Sequence, residues 1–225
     1  MSEAVIRLPA RPAPRDAGSG RDGLRVHPRQ LVLACGALAS EILYFIRLNE
    51  WDHMVLACLP ARLHNTPERI VPELEARLRE VADRYDRVLI GYADCGTGGR
   101  LDSLVDRWEN VERLPGAHCY EFFATSARFH QLHEAEPGTF YLTDFLTRHF
   151  DRLVWESLGL DRHPQLRDMY FGNYRRLVYL SQFDNHSLLE QARRAAVRLG
   201  LEFHHVRAGL GELATGLERF AAAAG

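Results

Sequence analysis

Short apolar runs alternate with segments of helical periodicity along most of the chain. Runs rich in leucine, valine and isoleucine that are bounded by turn residues are typical of buried strands. The predicted strands are 31–36, 53–60, 87–95, 111–116, 175–182 and 201–209. The predicted helical segments are 37–50, 66–85, 101–110, 119–135, 143–160, 163–174, 185–200 and a last one that begins at 211. After Pro137-Gly138 the pattern is looser, and no strand is predicted over 138–174.

The helix over 66–85 carries the clearest boundary and periodicity signals. Thr66 is a predicted N-cap, and Pro67 occupies the first helical position, where its missing N–H costs nothing. Its apolar residues recur at helical spacing, at Ile70, Leu74, Leu78 and Val81. Two other helices have one end predicted in the same way, by the N-cap Thr143 and by the terminating Gly200.

Alternation of strands and helices favours an α/β fold with a doubly wound, mainly parallel sheet. We predict a single α/β domain over 26–225, with a helical insert over about 119–173 that covers one edge of the sheet. Residues 1–25 are rich in proline, arginine, glycine and alanine, which predicts a flexible tail.

Length and charge narrow the function classes. The chain has 225 residues, enough to bury a full core, and a formal net charge of −2. This charge provides no bulk attraction for nucleic acid or an anionic membrane, so neither is expected as a partner. No apolar run approaches the roughly 20 residues that span a bilayer. The N-terminal segment lacks the apolar core of a secretory signal, so we predict a cytoplasmic protein.

All 28 basic residues are arginine. The absence of lysine excludes a Schiff-base mechanism on this chain. It also excludes the phosphate-binding lysine of a P-loop.

Thiols at strand ends are the most distinctive chemical feature. The chain has four cysteines and no CxxC pair: Cys35, Cys58, Cys95 and Cys119. Cys35 and Cys95 share one context, in which a predicted strand ends at the cysteine and a glycine follows. Ligands of open α/β sheets bind at the carboxyl ends of the strands. Cys58 precedes Leu59-Pro60, which suits packing, so we leave it out of the predicted site.

Cys119 adds a third thiol, and its neighbour His118 adds an imidazole. Three convergent thiols can hold zinc with His118 or water as the fourth ligand. They can equally hold a [4Fe–4S] cluster with one iron open to substrate. The alternative is that each thiol acts only as a small apolar side chain.

The segment DCGTGG, residues 94–99, predicts close approach of a ligand to the backbone. Its candidate contacts, with the glycine after Cys35, are Gly36, Gly96, Thr97, Gly98 and Gly99. The segment lacks GxGxxG spacing, which argues against a dinucleotide loop. Asp94 is a candidate to orient a ligand or transfer a proton, whereas Asp102 suits the first turn of the next helix.

Two further residues are candidates for acid–base roles. His64 lies in the loop after a strand end, on the side of the sheet where ligands bind, and a hydrogen-bonded loop histidine is the alternative. Glu121 lies near His118 and Cys119, and compensation of a helix dipole is its alternative role. His204 and His205 alternate across a predicted strand, and neither is assigned a role.

Six segments, taken in order, resemble a bacterial and archaeal family defined only as a domain of unknown function. The segments are CGAL, LPARLHNTPE, YADCGTGG, HCYEFF, EPGTFYLTDFL and YFGNYRRLVYL, and the resemblance covers about residues 30–205. Ala93 departs from the glycine that is usual in the family's YGDCGTGG segment. Members are often encoded beside corrinoid-dependent methyltransferases for trimethylamine-type substrates and beside their corrinoid proteins.

The resemblance implies a role in one-carbon metabolism, with a corrinoid protein or methyltransferase as partner, and strengthens the candidacy of the cysteines. Three hypotheses follow. The leading one is a zinc or iron–sulfur thiolate protein acting in, or accessory to, corrinoid-dependent methyl transfer. The second is a metal-free binding or chaperone module for a corrinoid protein or a small-molecule cofactor. The third is an enzyme with Cys119 as nucleophile beside His118, although adjacent side chains usually point apart.

Overall fold

The computed structural model describes residues 29–223, so the predicted tail over 1–25 lies outside the described residues. The described chain divides into two compact units. The first unit comprises residues 29–115 and 217–223, and the second comprises 116–216. Each unit contains its own parallel sheet.

The first sheet has four parallel strands in the order β2-β1-β3-β4. Its strands are β1 (Gln30–Cys35), β2 (Met54–Leu59), β3 (Arg87–Gly91) and β4 (Val111–Arg113). The central strand β1 is almost wholly buried, because apolar helices cover both faces of such a sheet. Strand order reverses between β1 and β3, which makes the carboxyl ends of these two strands a topological switch point.

Helices of the first unit follow the predicted pattern with shorter bounds. They are α1 (Ala39–Leu48), α2 (Ile70–Val81) and α3 (Arg100–Val105), with 3₁₀ segments at Gly36–Leu38, Ala61–Asn65, Pro67–Arg69 and Ala82–Arg84. The four periodic residues of α2 are all buried, which confirms the predicted core face. Thr66 is the N-cap residue and Pro67 the first residue of the 3₁₀ turn that leads into α2, as predicted, but the Thr66 side chain makes no capping hydrogen bond.

The second sheet has three parallel strands in the order β5-β6-β7. They are β5 (Thr139–Leu142), β6 (Arg176–Ser181) and β7 (Glu202–Arg207). Strands β6 and β7 confirm the prediction, and β5 was not predicted. The segment 119–173 therefore contributes a strand as well as helices.

Helices of the second unit depart most from the predicted bounds. They are α4 (Cys119–Ala124), α5 (Ser126–Ala135), α6 (Asp144–Arg148), α7 (Leu166–Phe171), α8 (His186–Leu199) and α9 (Gly211–Ala222). The last residues of α9 belong to the first unit. A π-helical segment lies at Asp151–Glu156. The single helix predicted over 119–135 is interrupted at Thr125, whose φ is 67°. Two predicted boundaries are confirmed: Thr143 accepts from the Leu146 amide at the start of α6, and Gly200 ends α8 in the left-handed region.

Both sheets are parallel and flanked by helices, which confirms the α/β, doubly wound class. Among the helices of residues 29–223, none is long and apolar enough to cross a membrane.

Candidate ligand site at the first sheet

The switch point of the first sheet brings two of the predicted thiols to one place. Cys35 is the last residue of β1, and Cys95 lies in the loop that follows β3. Both pack against the same apolar core cluster, which also includes Tyr92. Because successive side chains of a strand alternate between faces and Cys58 pairs with Ala34, the register places Cys58 on the opposite face from Cys35.

The environment holds the thiols of Cys35 and Cys58 protonated. The pKa of Cys35 is raised to about 11, mainly by burial; the hydrogen bond from Ala37 lowers it in part, and the nearby Cys95 adds to the rise. Burial and the proximity of Cys35 raise the pKa of Cys58 to about 12. At neutral pH both side chains are therefore neutral thiols, which are poor nucleophiles and poor metal ligands until a proton leaves.

Tyr92 is a buried polar group at this site. Its side chain is 2% exposed, and its hydroxyl has no hydrogen-bond partner of good geometry. Burial raises the pKa of Tyr92, and the adjacent Cys35 thiol raises it further, although sulfur is only a weak acceptor. A buried hydroxyl without a good hydrogen-bond acceptor destabilises the fold. This position therefore favours binding of a water molecule or a ligand that accepts a hydrogen bond from the Tyr92 hydroxyl.

Asp94 organises the glycine-rich loop from within. Its carboxylate accepts from the Thr97 hydroxyl at 2.7 Å, the Gly98 amide at 3.0 Å and the Gly99 amide at 2.8 Å. Burial raises the pKa of Asp94, but these hydrogen bonds outweigh it and the pKa is lowered. The amides of Gly98 and Gly99 thus bind the chain's own carboxylate, which accounts for the left-handed turn that follows Cys95.

Cys95 itself has a φ of 49°, a conformation that is strained for a residue with a side chain. Gly96 and Gly98 continue the turn at φ values of 81° and 65°. Gly36 has a different reason, because a Cβ there would lie 3.0 Å from the Leu59 carbonyl oxygen. The glycines after both thiols therefore serve the close packing and tight turning of the strand ends.

The remaining predicted site residues are distributed over both units. His64 is exposed in the 3₁₀ segment after β2, within the first unit. Asp102 lies in the first turn of α3, as predicted, and its carboxylate accepts from Arg113. His118 and Cys119 belong to the second unit, at the start of α4.

Glu121 builds the loop before α4. It is 3% exposed, and its carboxylate accepts from the backbone amides of Ala117 and His118, both at 3.0 Å. The Ser126 hydroxyl donates to its other oxygen at 2.8 Å. Through these contacts Glu121 fixes the backbone before α4, which is a larger structural role than compensation of the helix dipole.

A family model described as "Protein of unknown function (DUF1638)" matches residues 58–217. The chain belongs to this family. No curated protein and no solved structure matches the chain. The matched range starts at Cys58, so it includes Cys95 and Tyr92 and leaves Cys35 outside.

Metal ligation requires several donors in one place. Within residues 29–223 of this DUF1638 protein, no three His, Cys, Asp or Glu side chains are grouped so as to hold a metal ion. The structure brings Cys35 and Cys95 together in the first unit, and it assigns Cys119 and His118 to the second.

Sequence reasoning missed Tyr92 and a group of polar residues in the second unit. Tyr92 directly follows β3 and precedes the loop, so its place between Gly91 and Asp94 was the available signal. Asp144, Ser181 and His205 of the second unit lie at or near the carboxyl ends of β5, β6 and β7. Because β5 is not predicted from the sequence, Asp144 could not be recognised as lying near the end of a strand.

The raised thiol pKa values predict slow alkylation of Cys35. A rise from 9.0 to about 11 lowers the thiolate fraction near neutral pH about 100-fold, since each pH unit changes it tenfold. We therefore expect iodoacetamide at pH 8 to modify Cys35 about 100-fold more slowly in the folded chain than in urea, as measured by peptide mass spectrometry. Comparable rates in the two states would contradict the neutral-thiol assignment.

Proposed function

We propose that this DUF1638 protein binds a small cofactor at the switch point of its first sheet, acting in or accessory to corrinoid-dependent methyl transfer. The observation that carries the proposal is the Tyr92 hydroxyl, which is buried without a good hydrogen-bond partner. It lies beside the Cys35 thiol at the sheet edge where α/β proteins bind ligands. The corrinoid context is supported by the sequence resemblance.

The chemistry of the site favours a ligand with an oxygen or nitrogen acceptor and an apolar body. The Tyr92 hydroxyl can donate a hydrogen bond to the acceptor, and the thiols of Cys35 and Cys95 offer soft, polarizable surface. The carboxylate of Asp94 accepts hydrogen bonds from its own loop and so stabilises the turn. The donors that balance its charge belong to the same loop.

The test is calorimetric titration with methylcobalamin in the presence of a chelator. We expect wild-type protein to bind it, and Tyr92→Phe to bind about tenfold more weakly because one hydrogen bond is lost. The matched control is Tyr141→Phe, since the Tyr141 hydroxyl is also buried without a hydrogen-bond partner of good geometry but belongs to the second unit. An absence of binding by the wild-type protein, or equal weakening in both variants, would contradict the proposal.

A zinc or [4Fe–4S] thiolate centre is the second candidate, and the proximity of Cys35 and Cys95 supports it. Such a centre needs more ligands than these two thiols. In the same calorimeter, zinc would displace protons from the neutral thiols, so the heat of binding would depend on the buffer. Loss of zinc binding in Cys35→Ala, Cys95→Ala and Cys119→Ala alike would favour this centre over a metal-free site.

A further inference from the structure

The second unit has a cavity of its own at the carboxyl ends of β6 and β7. Its volume is about 330 Å³, which is enough for a small organic molecule. Tyr179, Ser181, His186, Leu189, His205 and Arg207 are among the residues that line it. All of them belong to the second unit, so the cavity is independent of the site proposed above.

A serine and a histidine are in direct contact in this cavity. The Ser181 hydroxyl lies 2.9 Å from Nε2 of His205. Sheet register explains the contact, because Tyr179 pairs with His205 and Ser181 lies two residues further on the same face of β6. Ser181 is 5% exposed and lines the cavity, whereas His205 is exposed to solvent. A hydroxyl and an imidazole at this distance form the contact that activates a serine nucleophile.

The imidazole is held in place by a second layer of residues. The Tyr179 ring stacks on the His205 ring with centroids 5.4 Å apart and planes 18° apart. Asp144 accepts from the Tyr179 hydroxyl at 2.7 Å and from the amides of Gln182 and Phe183 at 3.1 and 3.2 Å. Asp144 is therefore a positioning residue, since it acts on His205 through Tyr179.

Charges around His205 favour the neutral form that can accept a proton. Desolvation lowers its pKa first, and the cations Arg207 on β7 and Arg193 on α8 lower it further. Asp184 and Asp144 act in the opposite direction, but the pKa remains below 6.5. At pH 7 the imidazole is neutral, as a general base requires.

We propose that Ser181 and His205 form a nucleophile–base pair that hydrolyses a small carboxylic ester in this cavity. Ser181 Oγ bonds to the carbonyl carbon while its proton moves to His205 Nε2, and the bond to the alkoxy group then breaks as that proton passes to the departing alcohol. Water next attacks the acyl-serine and gives its proton to His205. That proton returns to Ser181 as the carboxylic acid leaves.

The surroundings of the pair suit this substrate class. Negative charge develops on the carbonyl oxygen during attack, and the amino terminus of the 14-residue helix α8 borders the cavity through His186. Arg207 at the rim pairs with Asp184 at 3.4 Å, so its charge is balanced there, while Leu189 offers an apolar wall for the acyl group. Esters with a short apolar acyl chain are therefore the preferred class.

The test combines covalent labelling with kinetics on the full chain. We expect a fluorophosphonate probe to label Ser181, identified by peptide mass spectrometry, and the protein to hydrolyse p-nitrophenyl acetate. His205→Gln should slow both reactions at least about 100-fold, the range expected on loss of a general base. Acidification should slow hydrolysis with a midpoint below pH 6.5, because protonated His205 cannot accept the serine proton.

His204→Gln is the matched control, because His204 neighbours His205 on β7 but pairs with Glu202. It should retain rates within about twofold of wild type. Ser181→Ala should abolish labelling by the fluorophosphonate. Should that variant fail to fold, Ser181→Cys takes its place, and the new thiol should react with iodoacetamide. The proposal is overturned if the wild-type chain is not labelled, if labelling occurs at another residue, or if both histidine variants react equally.

Discussion

Replacement of Asp144 by alanine is expected to lower the free energy of unfolding of the second unit by about 4 kcal/mol. The side chain is 2% exposed and accepts from one hydroxyl and two backbone amides. Removal of the buried carboxylate leaves all three neutral donors without this acceptor, and each orphaned donor costs about 1–3 kcal/mol before the structure relaxes.

The measurement is urea unfolding followed by the fluorescence of Trp155, in a background where Trp51 and Trp108 are phenylalanine. Trp155 lies in the second unit, so the signal reports on the unit that contains Asp144. Asp184→Ala is the control, because Asp184 is exposed and its loss should change stability by less than about 0.5 kcal/mol. Equal effects of the two substitutions would mean that the Asp144 network does not stabilise the fold.

Replacement of Glu121 by alanine is expected to lower the same free energy by about 3 kcal/mol. Two backbone amides lose their acceptor at part-buried positions, where each orphaned donor costs about 1–3 kcal/mol before the structure relaxes, whereas the Ser126 hydroxyl keeps Glu212 as an acceptor at 3.2 Å. Glu121→Gln keeps one acceptor oxygen and should lose about 1 kcal/mol. Tryptophan fluorescence in urea again supplies the measurement.

Exposed Glu134 on α5 provides the comparison for Glu121. Glu134→Ala should leave stability within about 0.5 kcal/mol of wild type. If Glu121→Ala is as stable as Glu134→Ala, the carboxylate is not needed for the fold and an acid–base role for Glu121 becomes the better explanation.

Strand β5 shows why part of the second unit was not predicted. Its four residues, TFYL, follow a proline–glycine pair and run directly into a capped helix. So short an apolar segment is compatible with strand, helix or loop, since periodicity needs several repeats to be recognised. Pairing with β6 along the whole of its length selects the strand, and that partner begins 37 residues further on.

The candidate site shows the same division. The strand–Cys–Gly pattern predicts that Cys35 and Cys95 each end a strand. Cys35 does end β1, but β3 ends at Gly91 and Cys95 lies in the loop that follows it; both thiols pack against the same core cluster. The roles of the neighbouring polar residues required contacts. The structural role of Asp94 in its loop follows only from the hydrogen bonds that its carboxylate accepts from Thr97 and the glycine amides.

The sequence by itself determined the α/β class, most strands and helices, and the place of Cys35 at the end of a strand. These features depend on local periodicity and on turn residues, which are encoded within a few neighbouring positions. Tertiary structure alone decided that the strands form two sheets, that Tyr92 is buried beside Cys35, and that Ser181 meets His205. Each of these features depends on contacts between residues of different strands or loops. The local pattern allows many such contacts, and the packing of the whole unit decides which of them form.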